Sequence, residues 1–287
     1  MRQDLYFSCS LGRHLCRADG APWVERETTA RAHFWIHPDG FPVFLSGSEL
    51  RASDEYANGD PYAVGADLES AFQRRRRDVT IQLISENCRS RAYVLDVGCG
   101  EGHITEEIRR VDGVRLVCGL DYSLSAIATA ARGSPDIEYC VADAHQLSYS
   151  DEFFDVVVCN NLWEHVADPL ALLREVGRVV KPRGHVIIST PSRFRFGNIL
   201  NVLRGRPPEL MSRHHITEYT VGQVREQLTS GGFDLVNISS PVIRPKADGV
   251  MSFIAYRVLK PILATYLRRI ESEHSLESTV FFVARKV

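Results

Sequence analysis

The chain has 287 residues, 44% of them hydrophobic, and sets 34 Lys and Arg against 36 Asp and Glu for a formal net charge of -2. That length buries one full core with room for a small appendage, and the balanced charge excludes the global basic field that holds proteins on nucleic acid through phosphate contacts. Without a run of about eighteen apolar residues, and with Asp4, Arg13 and Arg17 around the first apolar stretch, neither stable membrane insertion nor a signal peptide is expected, and the reading is a cytoplasmic protein.

In chain order, residues 1–50 are rich in turn formers, short of helical periodicity, and read as a small β-rich appendage. Residues 51–92 form a helical lead-in, with a helix predicted over 67–87. From residue 93 to 287, short β-rich runs alternate with helical ones, the pattern of a parallel sheet covered on both faces. The predicted strands begin with Tyr93–Val97, Arg115–Leu120, Ile137–Val141 and Phe154–Cys159. Gly184–Thr190, Phe233–Ile238 and Thr279–Ala284 complete seven strands in an α/β, doubly wound, Rossmann-like arrangement. Asp168 before Pro169 is a cap followed by a first-turn proline, and Thr220 with Gln223 is a capping box opening a helix that ends near Gly231. Cys99, Cys118, Cys140 and Cys159 fall in or beside these strands, so the seven scattered cysteines read as reduced thiols. Within an insertion over 241–278, Met251, Ile254, Val258, Ile262 and Leu263 recur at roughly helical spacing. Pro261 is read as breaking that apolar face, which favours a pocket lid or a dimer element over a helix lying on a membrane.

Chemistry concentrates in Val94-Leu-Asp-Val-Gly-Cys-Gly-Glu-Gly102, a strand that ends in three alternating glycines and runs into a helix. Glycines there let the backbone turn sharply and approach a ligand, with the helix N-terminus aimed at its polar end. A dinucleotide site requires a glycine where His103 stands, so the loop points to a nucleoside cofactor without a pyrophosphate. Asp121 closes the second strand, where a carboxylate can accept both ribose hydroxyls.

These segments together resemble class I S-adenosylmethionine (SAM)-dependent methyltransferases of the small-molecule type. The resemblance implies that Asp96, Gly98, Cys99, Gly100 and Gly102 hold the methionine part of SAM, that Asp121 holds the ribose, and that Tyr122 packs on the adenine. Asp143-Ala144 would meet the adenine amino group, a helix-capping role for Asp143 being the alternative. Asn160-Asn-Leu-Trp-Glu-His165-Val-Ala-Asp-Pro169 is similar to the family segment bordering the methyl-donor end, and Lys181-Pro-Arg-Gly184 to its Lys-Pro-Gly-Gly turn.

The methyl acceptor is a small molecule whose pocket the sequence barely marks. Met211-Ser-Arg-His-His-Ile-Thr-Glu-Tyr219 is similar to a stretch that many relatives carry over the active site. His214 or His215 is a candidate base for a hydroxyl acceptor, or else fixes the loop by hydrogen bonding. His165 is a weaker catalytic candidate and reads as structural. Arg193, Arg195, Arg204, Arg206 and Arg213 crowd the same linker, either to hold an anionic acceptor or as a solvated face. The expected activity is O-methylation of a sugar, glycan or polyketide-like metabolite. Methylation at carbon or nitrogen of a quinone-like or amine molecule, and a non-catalytic SAM-binding partner subunit, are the alternatives. Finally, Cys9-Ser-Leu-Gly12 and Trp35-Ile-His-Pro-Asp-Gly-Phe-Pro-Val-Phe-Leu45 resemble a degenerate Trm112-type zinc ribbon. It lacks the paired cysteines, so no residue is assigned to a metal, and a role in packing, substrate covering or a homodimer contact is expected instead.

Overall fold

A computed structural model describes residues 34–45, 49–50, 71–241 and 254–287. Its centre is a nine-stranded mixed sheet. The N-terminal pair is β1 (Trp35–Ile36) and β2 (Pro42–Val43), followed by helix α1 (Ala71–Asn87). Then come β3 (Ala92–Val97), α2 (His103–Arg109), β4 (Val114–Asp121), α3 (Leu124–Gly133), β5 (Glu138–Val141) and β6 (Phe154–Asn160). A single 3-10 turn at Trp163–His165 leads to α4 (Pro169–Val179), β7 (Val180–Pro191) and α5 (Phe196–Leu203). The chain closes with α6 (Val221–Ser230), β8 (Phe233–Ser239), α7 (Lys260–Ile270) and β9 (Thr279–Lys286).

The strand order is β1-β2-β5-β4-β3-β6-β7-β9-β8. The strands from β5 to β7 pair in parallel, and β9 runs antiparallel between β7 and β8. The seven strands read from the sequence are β3 to β9. The two short additional ones come from the segment likened to a ribbon, a hairpin whose Val43 pairs with Val141 at the sheet edge and whose Phe41, Val43 and Leu45 are buried. Cys9 and Gly12, the other part of the ribbon-like pattern, lie outside the described residues.

Period-two alternation divides the core into two layers. Leu95 and Val97 of β3, Val186 and Ile188 of β7, and Val280, Phe282 and Ala284 of β9 pack with Leu172, Leu173 and Val176 of α4 and Val224 and Leu228 of α6. The intervening Val94, Ile187, Phe281 and Val283 face Leu83 and Ile84 of α1, Ile108 of α2 and Ile127 of α3. Strands buried on both faces explain the near-continuous apolar runs in the sequence. They also leave the carboxyl ends of the central strands as the place where loops of opposite direction part and a ligand can enter.

The expected break at Pro261 does not occur. Helical backbone is continuous from Ile254 to Ile270: Ala255–Leu259 is one π-helical turn, and Pro261 falls in the first turn of α7. The wider π turn and the first-turn position accommodate a residue that lacks an N–H, so the face carrying Ile254, Val258, Ile262, Tyr266 and Ile270 stays intact and exposed.

Candidate active site

β3 delivers the glycine loop to the carboxyl edge of the sheet. Gly98, Gly100 and Gly102 have φ of 75°, 54° and 82°, all in the left-handed region that L side chains avoid. Space demands glycine as well: a Cβ on Gly98 would stand 3.0 Å from Leu162 Cδ1, and one on Gly102 would stand 2.5 Å from Tyr139 Oη. The loop is tied to the end of β4. The Gly98 and Cys99 N–H groups donate to the Leu120 carbonyl at 2.7 and 3.0 Å. Gly100 N–H donates to Asp121 Oδ2 at 2.8 Å and Ser123 N–H to Asp121 Oδ1 at 2.9 Å. Asp121 therefore orders the loop.

Asp96 sits beneath this loop, 1% exposed. Its Oδ2 accepts the Thr105 hydroxyl at 2.8 Å, while Oδ1 is buried with no hydrogen-bond partner among the described residues. Burial is the main cause that pushes the Asp96 carboxyl up to about 7, against the opposing pull of the Thr105 bond. An orphaned carboxylate oxygen at the root of a glycine loop fits a ligand that brings its own donor or positive charge. SAM brings both, so the residues present suit it.

The other cofactor candidates divide. Tyr122 is 43% exposed beside Asp121, open to stacking. Asp143 spends Oδ1 on the backbone N–H and the Nδ1 of His145, both at 2.8 Å, which shapes the turn after β5; no helix starts there for it to cap. Ala144 is half-buried against the core. Asn160 ties three elements together, since its Oδ1 accepts from Ser189 Oγ at 2.9 Å and from Thr80 Oγ1 of α1 at 3.3 Å.

Beyond Asn160 the chain crosses to the acceptor side. Leu162 packs against Gly98, and two residues later Glu164 is wholly buried. Glu164 Oε2 accepts the hydroxyl of Thr190, at the end of β7, at 3.0 Å. Its Oε1 is buried without a partner among the described residues, and burial pushes this carboxyl up to about 7. The Glu164 carbonyl accepts the N–H groups of Ile216 and Thr217, which fastens the histidine-bearing segment over the strand ends. The His165 and His215 rings meet edge to face with centroids 4.9 Å apart. His165 Nδ1 lies 3.2 Å from the His214 carbonyl oxygen, and His215 Nδ1 lies 2.9 Å from Glu218 Oε1.

Of the paired histidines, His215 thus faces the cluster, while His214 contributes its carbonyl and takes a 3.4 Å contact from Arg213 Nε on its ring. His165 belongs with His215, and burial with the nearby His215 lowers its pKa to about 4. The arginine-rich linker does not act as one patch. Arg195 is committed to Glu218 and the Glu209 carbonyl, whereas Arg193, Arg204, Arg206 and Arg213 are exposed. A cavity of ≈ 220 Å³ lies beside Arg193, Asn198 and Glu209, with Ile216, Thr217 and Glu218 as its other wall. Three contributors were not singled out from the sequence: Glu164, Thr190 and Glu218. The local signals were present, a Glu directly before His165 and another three residues after His215.

The model of a methyltransferase domain family matches residues 70–238. The chain belongs to that family. The matched region is a class I SAM-dependent methyltransferase domain, and SAM is the methyl donor that this family implies. It is 31% identical over 167 residues to a "probable S-adenosylmethionine-dependent methyltransferase" of Mycolicibacterium smegmatis, which covers 58% of this chain and 61% of that protein. It is 39% identical over 103 residues to a ubiquinone biosynthesis O-methyltransferase of Aliivibrio fischeri, 35% of this chain and 44% of that one. The chain thus spans less than two thirds of the length of these curated relatives. The fold is that of the YcgJ protein of Bacillus subtilis, with a TM-score of 0.52 at 17% identity over 74% of this chain and 98% of that one. No helix among the described residues is long and apolar enough to cross a membrane.

Proposed function

We propose that this methyltransferase moves the methyl group of SAM to a hydroxyl of a small metabolite of sugar, glycan or polyketide type. In this reading the hydroxyl loses its proton at Glu164, His165 and His215. Bound SAM supplies a methyl carbon made electrophilic by a sulfonium. The chain's own tasks are to hold the acceptor oxygen in line with that carbon and to promote loss of its proton. One observation carries the reading: two imidazoles and a buried carboxylate converge where β6 and β7 end, and Leu162 packs that segment onto Gly98 of the glycine loop. The local identity to a ubiquinone biosynthesis O-methyltransferase supports oxygen as the acceptor atom.

The test is an incubation with SAM and a panel of hydroxylated acceptors, read by S-adenosylhomocysteine release and by mass spectrometry of the methylated product. His165→Ala and His215→Ala should each lower kcat by roughly 10²- to 10⁴-fold with S-adenosylhomocysteine affinity unchanged. Methyl groups found on carbon or nitrogen, with both variants near full turnover, would sink the hydroxyl reading. SAM binding with no S-adenosylhomocysteine formed from any acceptor would point to a non-catalytic subunit.

A further inference from the structure

Glu164, His165 and His215 each offer one ligand atom, and those three atoms lie within 4.8 Å of one another. We infer that these residues form a binding site for a divalent first-row transition cation, which holds the acceptor hydroxyl of the proposed reaction. The inference deepens the hydroxyl reading and rests on it for the cation's role, though not for its binding.

Two imidazole nitrogens with one carboxylate oxygen is a borderline donor set that suits zinc, cobalt, iron or manganese and leaves positions open for an incoming oxygen. Glu164 gives the second, independent pointer. It is 0% exposed, and its Oε1 is buried without a hydrogen-bond partner among the described residues. A buried carboxylate oxygen left in that state is costly, and a cation in contact with it removes the cost. The surroundings match what metal-ligating groups require. Each ring is oriented through Nδ1 by an oxygen, the His214 carbonyl for His165 and the Glu218 carboxylate for His215. Glu218 is itself fixed by Arg195 and by the Met211 N–H, and Thr190 fixes the other oxygen of Glu164. Such outer partners hold ligands in place before the metal arrives.

A cation there makes a coordinated hydroxyl more acidic, as it does bound water. The hydroxyl proton passes to solvent water, an oxygen lone pair forms the new bond to the methyl carbon, and the pair of the breaking carbon–sulfur bond returns to sulfur. No oxidant or further reactant is needed. His165 and His215 then act as ligands and not as proton acceptors.

The experiment titrates Co²⁺ into tag-free, chelator-treated full-length protein, followed by visible absorption. S-adenosylhomocysteine affinity is measured on the same samples. The expected result is one Co²⁺ per chain giving visible d–d bands, displaced by Zn²⁺ and abolished in His165→Ala. In Glu164→Gln, Co²⁺ binding should weaken by roughly tenfold or more, with S-adenosylhomocysteine affinity preserved. If His165→Ala loses S-adenosylhomocysteine binding, Glu164→Gln alone decides the comparison. No Co²⁺ uptake, or uptake undiminished in the decisive variant, overturns the inference. If hydroxyl methylation proceeds at full rate in excess EDTA, the cation's role in holding the acceptor falls and the hydroxyl reading stands. If SAM is bound but no oxygen is methylated with or without Co²⁺, the hydroxyl reading falls while the binding measurement still judges the site.

Discussion

Asp121 does two jobs with one carboxylate, because the N–H bonds it accepts from Gly100 and Ser123 shape the loop that faces the cofactor. Asp121→Ala strands both donors at about 1–3 kcal/mol each where they are buried. S-adenosylhomocysteine binding, measured by calorimetry, should weaken by about tenfold or more, and unchanged affinity would show that the loop is held by other means. Asp96 makes a prediction of a different kind. Its carboxyl stands at about 7 in the folded protein, above the roughly 3.9 of an unfolded chain. The folded state therefore keeps the proton more tightly, and the stability this gives below about pH 4 is lost as pH rises toward 7. Asp96→Asn removes that dependence, so its melting temperature should fall less than that of the wild type between about pH 5 and pH 8. Parallel melting curves would refute the assignment. The glycine loop and Asp121 were legible in the sequence because their spacing is local. The proton held by Asp96 was not, since it depends on how deeply the sheet buries that oxygen.

Among the elements, α6 shows how far local chemistry reaches. Both halves of its capping box form: Thr220 Oγ1 accepts the Gln223 N–H at 3.2 Å, and Gln223 Oε1 accepts the Thr220 N–H at 2.9 Å. Thr220→Ala should cost about 1 kcal/mol in denaturant titration, and a neutral result would mean that packing of Val224 and Leu228 alone sets the helix start. Asp168 likewise caps α4 through the Ala171 N–H at 2.9 Å, as its place before Pro169 predicted. Pro261 is the counterexample. A proline inside an apolar periodic stretch reads as a break, yet the chain absorbs it in a π turn, a backbone choice that residue types do not specify.

At the level of the whole molecule, β9 is the last strand in the chain and yet lies inside the sheet, between β7 and β8. All five residues from Val280 to Ala284 are buried, and they alternate between the two cores. Phe282→Ala should therefore cost about 3–5 kcal/mol, seen as a drop in the midpoint of cooperative urea unfolding. A loss below about 1 kcal/mol would mean that this face is loosely packed. The insertion before β9 delays closure of the sheet until the end of the chain, so the antiparallel edge depends on contacts distant in sequence.

The sequence by itself determined the strands, the caps, the glycine loop and the acid at the end of β4, because each is written in residues a few positions apart and obeys periods of two or 3.6. It also contained Glu164, His165 and His215, but as two fragments about fifty residues apart. Only the tertiary structure decided that β6 and β7 end side by side, that Glu164 reaches Thr190, and that the second fragment folds back to bring His215 against His165. The reason is physical: backbone spacing fixes what lies within one turn or one strand, whereas burial and convergence of charged groups exist only once the layers pack.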